Sequence, residues 1–217
     1  MRKREEHFVT IPLEGGEQAL EGIFIAGADG DAVGVAVAAP HPLYGGSMDV
    51  PVVNEIAYAA RTAGLASLRF NWRGVGASAG AASGDFADAD ADYHAALRHL
   101  VESVPGAVVA AGYSFGAASA VRVAPAEPRV RRLLLVAPPP SMLDVASLAD
   151  FAGSVLLIAG ADDSLAPAAE LERIAAGVPR ATFTAIPRAD HFFSAGLADV
   201  GRIAAEWLGS SARGPVR

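Results

Sequence analysis

Gly112-Tyr113-Ser114-Phe115-Gly116 stands between two apolar runs of different kind. Before it, Ala107-Val108-Val109-Ala110-Ala111 is short, apolar and bounded by Pro105-Gly106, which predicts a buried strand. After it, Ala117, Ala118, Ser119, Ala120 and Val121 predict the start of a buried helix. G-x-S-x-G between a strand and a helix is the setting of a nucleophile elbow. The turn must be tight, and the serine backbone strained. Gly112 and Gly116 have no Cβ, so neighbouring backbone can pass close to them. The Ser114 hydroxyl is thereby lifted clear at the carboxyl end of the sheet. The Phe115 amide, at the helix N-terminus, can face an oxyanion.

Outward from this point, strands and helices alternate. Strands are expected at 8–13, 20–26, 33–39, 65–70, 107–111, 130–137, 155–159 and 181–186. Helices are expected at 52–63, 87–104, after Phe115, at 167–176 and at 196–208. The first two strands form a hairpin through Glu14-Gly15-Gly16-Glu17, residues 28–31 form a second turn, and 209–217 read as a frayed tail. Several strands are apolar almost throughout, as strands covered on both faces must be. The expected fold class is therefore α/β: one domain, 1–217, with a mostly parallel eight-stranded sheet and helices on both faces. Ligands of such sheets bind at the carboxyl ends of the strands.

Composition narrows the chemistry. The 217 residues are 52% hydrophobic and 19% charged, with a net charge of −7. That balance argues against nucleic acid or an anionic membrane as partner. There are no cysteines, which removes disulfides, thiolate metal sites and a cysteine nucleophile. Pro12 and Glu14 interrupt the only candidate for a signal peptide, and no run approaches a membrane span, so a cytoplasmic location is expected. Gly74-Val75-Gly76 lacks the rest of a dinucleotide fingerprint: Ala79 stands where the third glycine is needed, and there is no Walker lysine. No pair of histidines has an acidic neighbour at ligand spacing, so neither metal nor cofactor is expected.

A serine nucleophile needs a base in reach and a third group to orient that base. Of the five histidines, His7 lies on the first strand, His94 and His99 lie within a helix, and His41 is tied to Pro42 in a tight loop. His191 lies in Arg188-Ala189-Asp190-His191-Phe192-Phe193, directly after the last strand, and is the expected base. Asp190 adjoins it in sequence, so its carboxylate points away. Asp162 and Asp163 follow the strand at 155–159. Adjacent residues of an extended turn face opposite ways, so one of them reaches the imidazole. Asp163 is the expected acid, with Asp162 as a solvated turn residue and Asp144 as the fallback. The order Ser114, Asp163, His191 fits this class of triad.

Three blocks carry a closer resemblance: His41-Pro42-Leu43-Tyr44-Gly45-Gly46-Ser47-Met48, Arg69-Phe70-Asn71-Trp72-Arg73-Gly74-Val75-Gly76-Ala77-Ser78, and the pentapeptide itself. Over nearly its whole length the chain resembles an α/β-hydrolase. The blocks are similar to those of compact, capless members related to dienelactone hydrolase and to serine-aminopeptidase-like hydrolases. The resemblance implies that the Leu43 amide joins the Phe115 amide as oxyanion hole. It also implies Gly160-Ala161-Asp162-Asp163 followed by Pro167 as the acid turn. The nucleophile here is serine, not the cysteine of true dienelactone hydrolases, so their substrate is not carried over.

The expected activity is hydrolysis of a carboxylic ester or thioester of a small molecule. The rivals are an amidase or peptidase of the same fold and a non-catalytic scaffold used for binding. Only residues 138–153 separate the strand at 130–137 from the next one, and three prolines open them. That length holds one short helix, near 147–151, but no cap. A shallow cleft is expected, walled by Leu43, Tyr44, Phe115, Met142 and Phe192.

Overall fold

The computed structural model describes residues 5–28 and 33–210. Eight strands form one sheet: β1 (Glu6–Pro12), β2 (Ala19–Ile25), β3 (Gly34–Ala38), β4 (Ala66–Phe70), β5 (Val108–Tyr113), β6 (Val130–Val136), β7 (Ser154–Gly160) and β8 (Ala181–Ile186). Their order is β1-β2-β4-β3-β5-β6-β7-β8. β1 and β2 are antiparallel, and β2 lies antiparallel to β4. Every other neighbouring pair is parallel. The expected fold class is the one found.

Six α-helices cover the sheet among the described residues: α1 (Pro51–Thr62), α2 (Phe86–Ser103), α3 (Phe115–Val123), α4 (Val145–Asp150), α5 (Ala168–Ala176) and α6 (Leu197–Ser210). α1 packs with α6 on one side, and α2 packs with α3 on the other. β3, β4 and β5 lie between these layers, and every one of their residues is buried. That is why β3 and β5 read as apolar runs, whereas β4 buries Ser67 and Arg69 among its apolar residues. α1 starts at Pro51, whose missing N–H costs nothing at a helix start, and Gly64 follows it at φ 83°. α3 buries Phe115, Gly116, Ala117, Ala118, Ser119, Ala120, Val121 and Val123, so its small side chains bring it close against the sheet.

The observed bounds depart from the sequence reading by one or two residues at element ends. The short helix expected near 147–151 begins earlier, at Val145, because Asp144 caps it. Gly209 and Ser210 belong to α6 rather than to a tail. The remainder of that expected tail, 211–217, and most of the expected turn at 28–31 lie outside the described residues. Among the described residues no helix is long and apolar enough to cross a membrane.

The loop after β4 is tied down from two sides. Trp72 donates its indole N–H toward the Ala39 and Pro40 carbonyls, both 3.1 Å away, at the end of β3. Asn71 accepts the Met48 amide at 2.8 Å and donates to Glu21 at 2.8 Å. The 71–78 block is thus the brace of the neighbouring His41 loop, not a phosphate cradle. Arg73 anchors it to α2. It meets Asp88 and holds both oxygens of Asp92 through its side chain and backbone amide. Asp92 has a side chain only 1% exposed, so its charge depends on this partner. Arg73→Ala should therefore destabilise the fold by about 3–5 kcal/mol in urea unfolding, and Arg73→Ala with Asp92→Leu should recover most of it. A loss below about 1 kcal/mol for the single variant would mean that Asp92 finds another partner.

Candidate active site

Ser114 sits between β5 and α3 with φ 55° and ψ −118°, a conformation that a residue with a Cβ rarely adopts. Its surroundings hold it there. Its amide donates to the Val136 carbonyl of β6 at 2.8 Å, and its carbonyl accepts from Ala117 and Ala118 as α3 begins. A Cβ on Gly112 would lie 2.3 Å from the Gly116 carbonyl carbon. One on Gly116 would lie 2.4 Å from the Ala39 carbonyl oxygen. Both glycines of the pentapeptide are thus required by close backbone approach.

His191 reaches Ser114 from the far side. Its Nε2 lies 3.0 Å from Ser114 Oγ, and its Nδ1 lies 2.8 Å from Asp163 Oδ2. With the ring proton on Nδ1, Nε2 presents a lone pair to the serine hydroxyl. The imidazole is 8% exposed and the Asp163 side chain 0%. Asp163 is fully engaged: its Oδ1 accepts the Leu165 and Ala166 amides at 2.8 and 2.7 Å. Gly160 lets the two loops meet, since a Cβ there would lie 2.3 Å from the Ala189 carbonyl oxygen. The Asp162 amide donates to that same carbonyl, and its side chain is exposed. Asp190 is turned to the amide and hydroxyl of Ser194, which hold its carboxyl below the usual range. Asp144 caps α4 through Ser147, whose amide holds that carboxyl low too. Of the three, Asp163 contacts the imidazole, Asp162 is exposed, and Asp144 is turned to Ser147.

Sequence reasoning missed several supports. Tyr113, inside the pentapeptide, donates its hydroxyl to the His191 carbonyl at 2.8 Å. Burial, then the Asp163 and Asp190 charges, pushes that phenol above its ordinary range, so it stays a neutral donor. His41 tilts against Tyr44 and Phe115, with ring centroids 4.7 Å apart in each case. Its Nδ1 accepts the Leu43 amide at 3.2 Å, and burial lowers its pKa. The Leu43 amide is therefore engaged locally, whereas the Phe115 amide stands at the free end of α3, where no turn precedes it.

A cleft of about 600 Å³ opens beside Ser114 and His191, lined by Tyr44 and Phe192 as expected, and also by Val50, Pro51, Val52 and Leu165. Met142 is not among the lining residues. The 3-10 turn Pro140–Met142 sends Leu143 into the core and leaves Met142 at the surface. Leu43, 58% exposed, and Phe115, buried beneath His41, do not line it either. Among the described residues no segment forms a cap: between β6 and β7 there is only the 3-10 turn and α4. Among the described residues no group of His, Asp or Glu could hold a metal ion.

Residues 43–144 match the family described as serine aminopeptidase, S33. The chain is 29% identical over 194 residues to an uncharacterized protein of Rickettsia prowazekii, covering 84% of this chain and 81% of that one. Its fold is similar to that of an α/β serine hydrolase homologue from Coxiella burnetii, with a TM-score of 0.82 and 28% identity over 96% of this chain and 99% of that one. It is equally similar to a Xanthomonas campestris α/β serine hydrolase without a lid, with a TM-score of 0.82 and 27% identity over 100% and 99% of the two chains. The mostly parallel eight-stranded sheet gives this chain the α/β-hydrolase fold, and it is similar to α/β serine hydrolases, one of them described as without a lid.

Proposed function

We propose that the protein hydrolyses a carboxylic ester or thioester through an acyl-enzyme on Ser114. The observation that carries this reading is the hydrogen-bonded line from Asp163 through His191 to a serine held at positive φ. Ser114 Oγ attacks the acyl carbon and passes its proton to His191 Nε2. Asp163 fixes the imidazole tautomer and stabilises the imidazolium. The carbonyl oxygen, now negative, takes the Phe115 amide. The Leu43 amide turns to it from its 3.2 Å bond to His41, a weak bond to give up. The C–O or C–S bond then breaks, and His191 returns the proton to the leaving alcohol or thiol. Water repeats the sequence on the acyl-enzyme, with His191 again as base, and frees the acid.

The test is Ser114→Ala with a fluorophosphonate probe and an activated ester. Labelling should vanish and activity should fall to the residual oxyanion contribution, roughly 10³-fold over water, with the fold intact. Undiminished turnover would end the assignment.

Asp163→Asn should lower kcat by about 10⁴-fold, because the amide forces the wrong imidazole tautomer. Asp162→Asn should change kcat by less than about twofold, since its side chain is exposed. Steady-state kinetics of the pair decide this; reversed effects would mean that the other carboxylate serves the base.

Without a cap, an acyl chain leaves the apolar walls after a few methylenes. It then stops gaining the ~0.8 kcal/mol per buried CH₂ that a tunnel would supply. Comparison of kcat/KM across a series of p-nitrophenyl esters should favour short acyl groups, with no activation above the micellar limit. A steady rise to long chains would contradict the open cleft.

A further inference from the structure

We infer that this cleft selects a neutral, apolar acyl group, and that Leu165 governs the selection. The inference rests on the serine hydrolase reading above and names the substrate class of the same site. Among the described residues that line the cleft there is no Asp, Glu, Lys or Arg. Its two histidines are accounted for: His191 Nδ1 faces Asp163, and His41 Nδ1 accepts the Leu43 amide, with burial favouring the neutral ring.

The carboxylates of the acid and base loops are out of reach. Asp163 lies behind the imidazole, both oxygens taken and its side chain 0% exposed. Asp190 is folded onto Ser194, and Asp162 is on the outer side of the acid turn, exposed. A free α-ammonium, as an aminopeptidase substrate carries, would enter the cleft and meet no counter-charge. A substrate carboxylate would meet no cation among the lining residues. Whatever hydration either group lost against the lining would find no replacement there, whereas an alkyl acyl group lies against Val50, Val52 and Leu165.

Leu165 is the lining position best placed to govern this. Its side chain is 57% exposed, so it can change charge without opening the core. Its backbone amide is held by Asp163 Oδ1 at 2.8 Å, the same carboxylate that orients His191. The backbone at residue 165 is thereby held relative to the base, so its side chain starts from a set point beside the acyl group. Val50, at the start of α1, offers an independent lining position.

The experiment compares kcat/KM for p-nitrophenyl butyrate, p-nitrophenyl hemisuccinate and alanine p-nitrophenyl ester, each divided by its rate with hydroxide. Fluorophosphonate labelling of Ser114 is measured in the same preparations. Butyrate should exceed both charged esters by at least about tenfold. Leu165→Arg should raise the hemisuccinate-to-butyrate ratio about tenfold, Leu165→Glu should do the same for the alanine ester, and Leu165→Gln should leave both ratios near wild type. Val50→Arg gives the same hemisuccinate test from a different element. A wild-type preference for either charged ester, with Ser114 labelled, would overturn the neutral selection. Unmoved ratios in labelled, folded Leu165 variants would overturn the role of Leu165. A wild-type protein that the probe does not label would instead overturn the hydrolase reading, and this inference with it.

Discussion

A serine at φ 55° is the constraint on which the rest of the molecule is built. Such a conformation costs on the order of 1–3 kcal/mol and persists only where its surroundings over-determine it. Here they do so through backbone contact rather than side-chain packing. Gly112 meets Gly116 within the turn, and Gly116 meets the end of β3 at Ala38 and Ala39. β6 takes the Ser114 amide. These are central strands of the sheet, buried on both faces, and α3 lies against them with small side chains. Relaxing the serine would require moving the best-packed part of the protein.

The second loop cluster is organised by one carboxylate. Asp163 accepts two amides from its own loop on one oxygen and the imidazole on the other. The proposed base is therefore positioned by the same group that shapes the loop behind it. From below, Tyr113 holds the His191 carbonyl, so the residue preceding the serine also steadies the histidine facing it. β5, β7 and β8 each end in one part of the arrangement, and Gly160 removes the Cβ that would keep the latter two loops apart.

Much of this was legible in the sequence, and what was not has a common cause. The alternation of apolar strands and helices reports burial, and burial follows residue type; the sheet and its parallel core could be read directly. The serine turn was legible because its two glycines are needed for close approach; at the acid turn, the divergence of neighbours said that one carboxylate faces inward but not which. Side-chain partners distant in sequence left no such mark. Trp72 reaches Ala39 and Pro40, and Tyr113 reaches a carbonyl 78 residues onward. Ala137 after β6, and Arg188 and Phe193 on either side of His191, also turn at positive φ without being glycine. Met142 was misplaced for the same reason: its exposure depends on how a proline-led turn leaves β6, not on its own apolar character. The engagement of the Leu43 amide by His41 is local, yet it depends on the ring's rotamer.

The central claim is that Ser114 carries the acyl group, and catching that acyl group tests it most directly. The protein is mixed with p-nitrophenyl acetate, quenched in acid before steady state, digested and analysed by mass spectrometry. The account predicts an acetyl group on the peptide containing Ser114, formed at the rate of the p-nitrophenol burst. Turnover with no acetylated peptide, or acetylation confined to another residue such as His41, would contradict it.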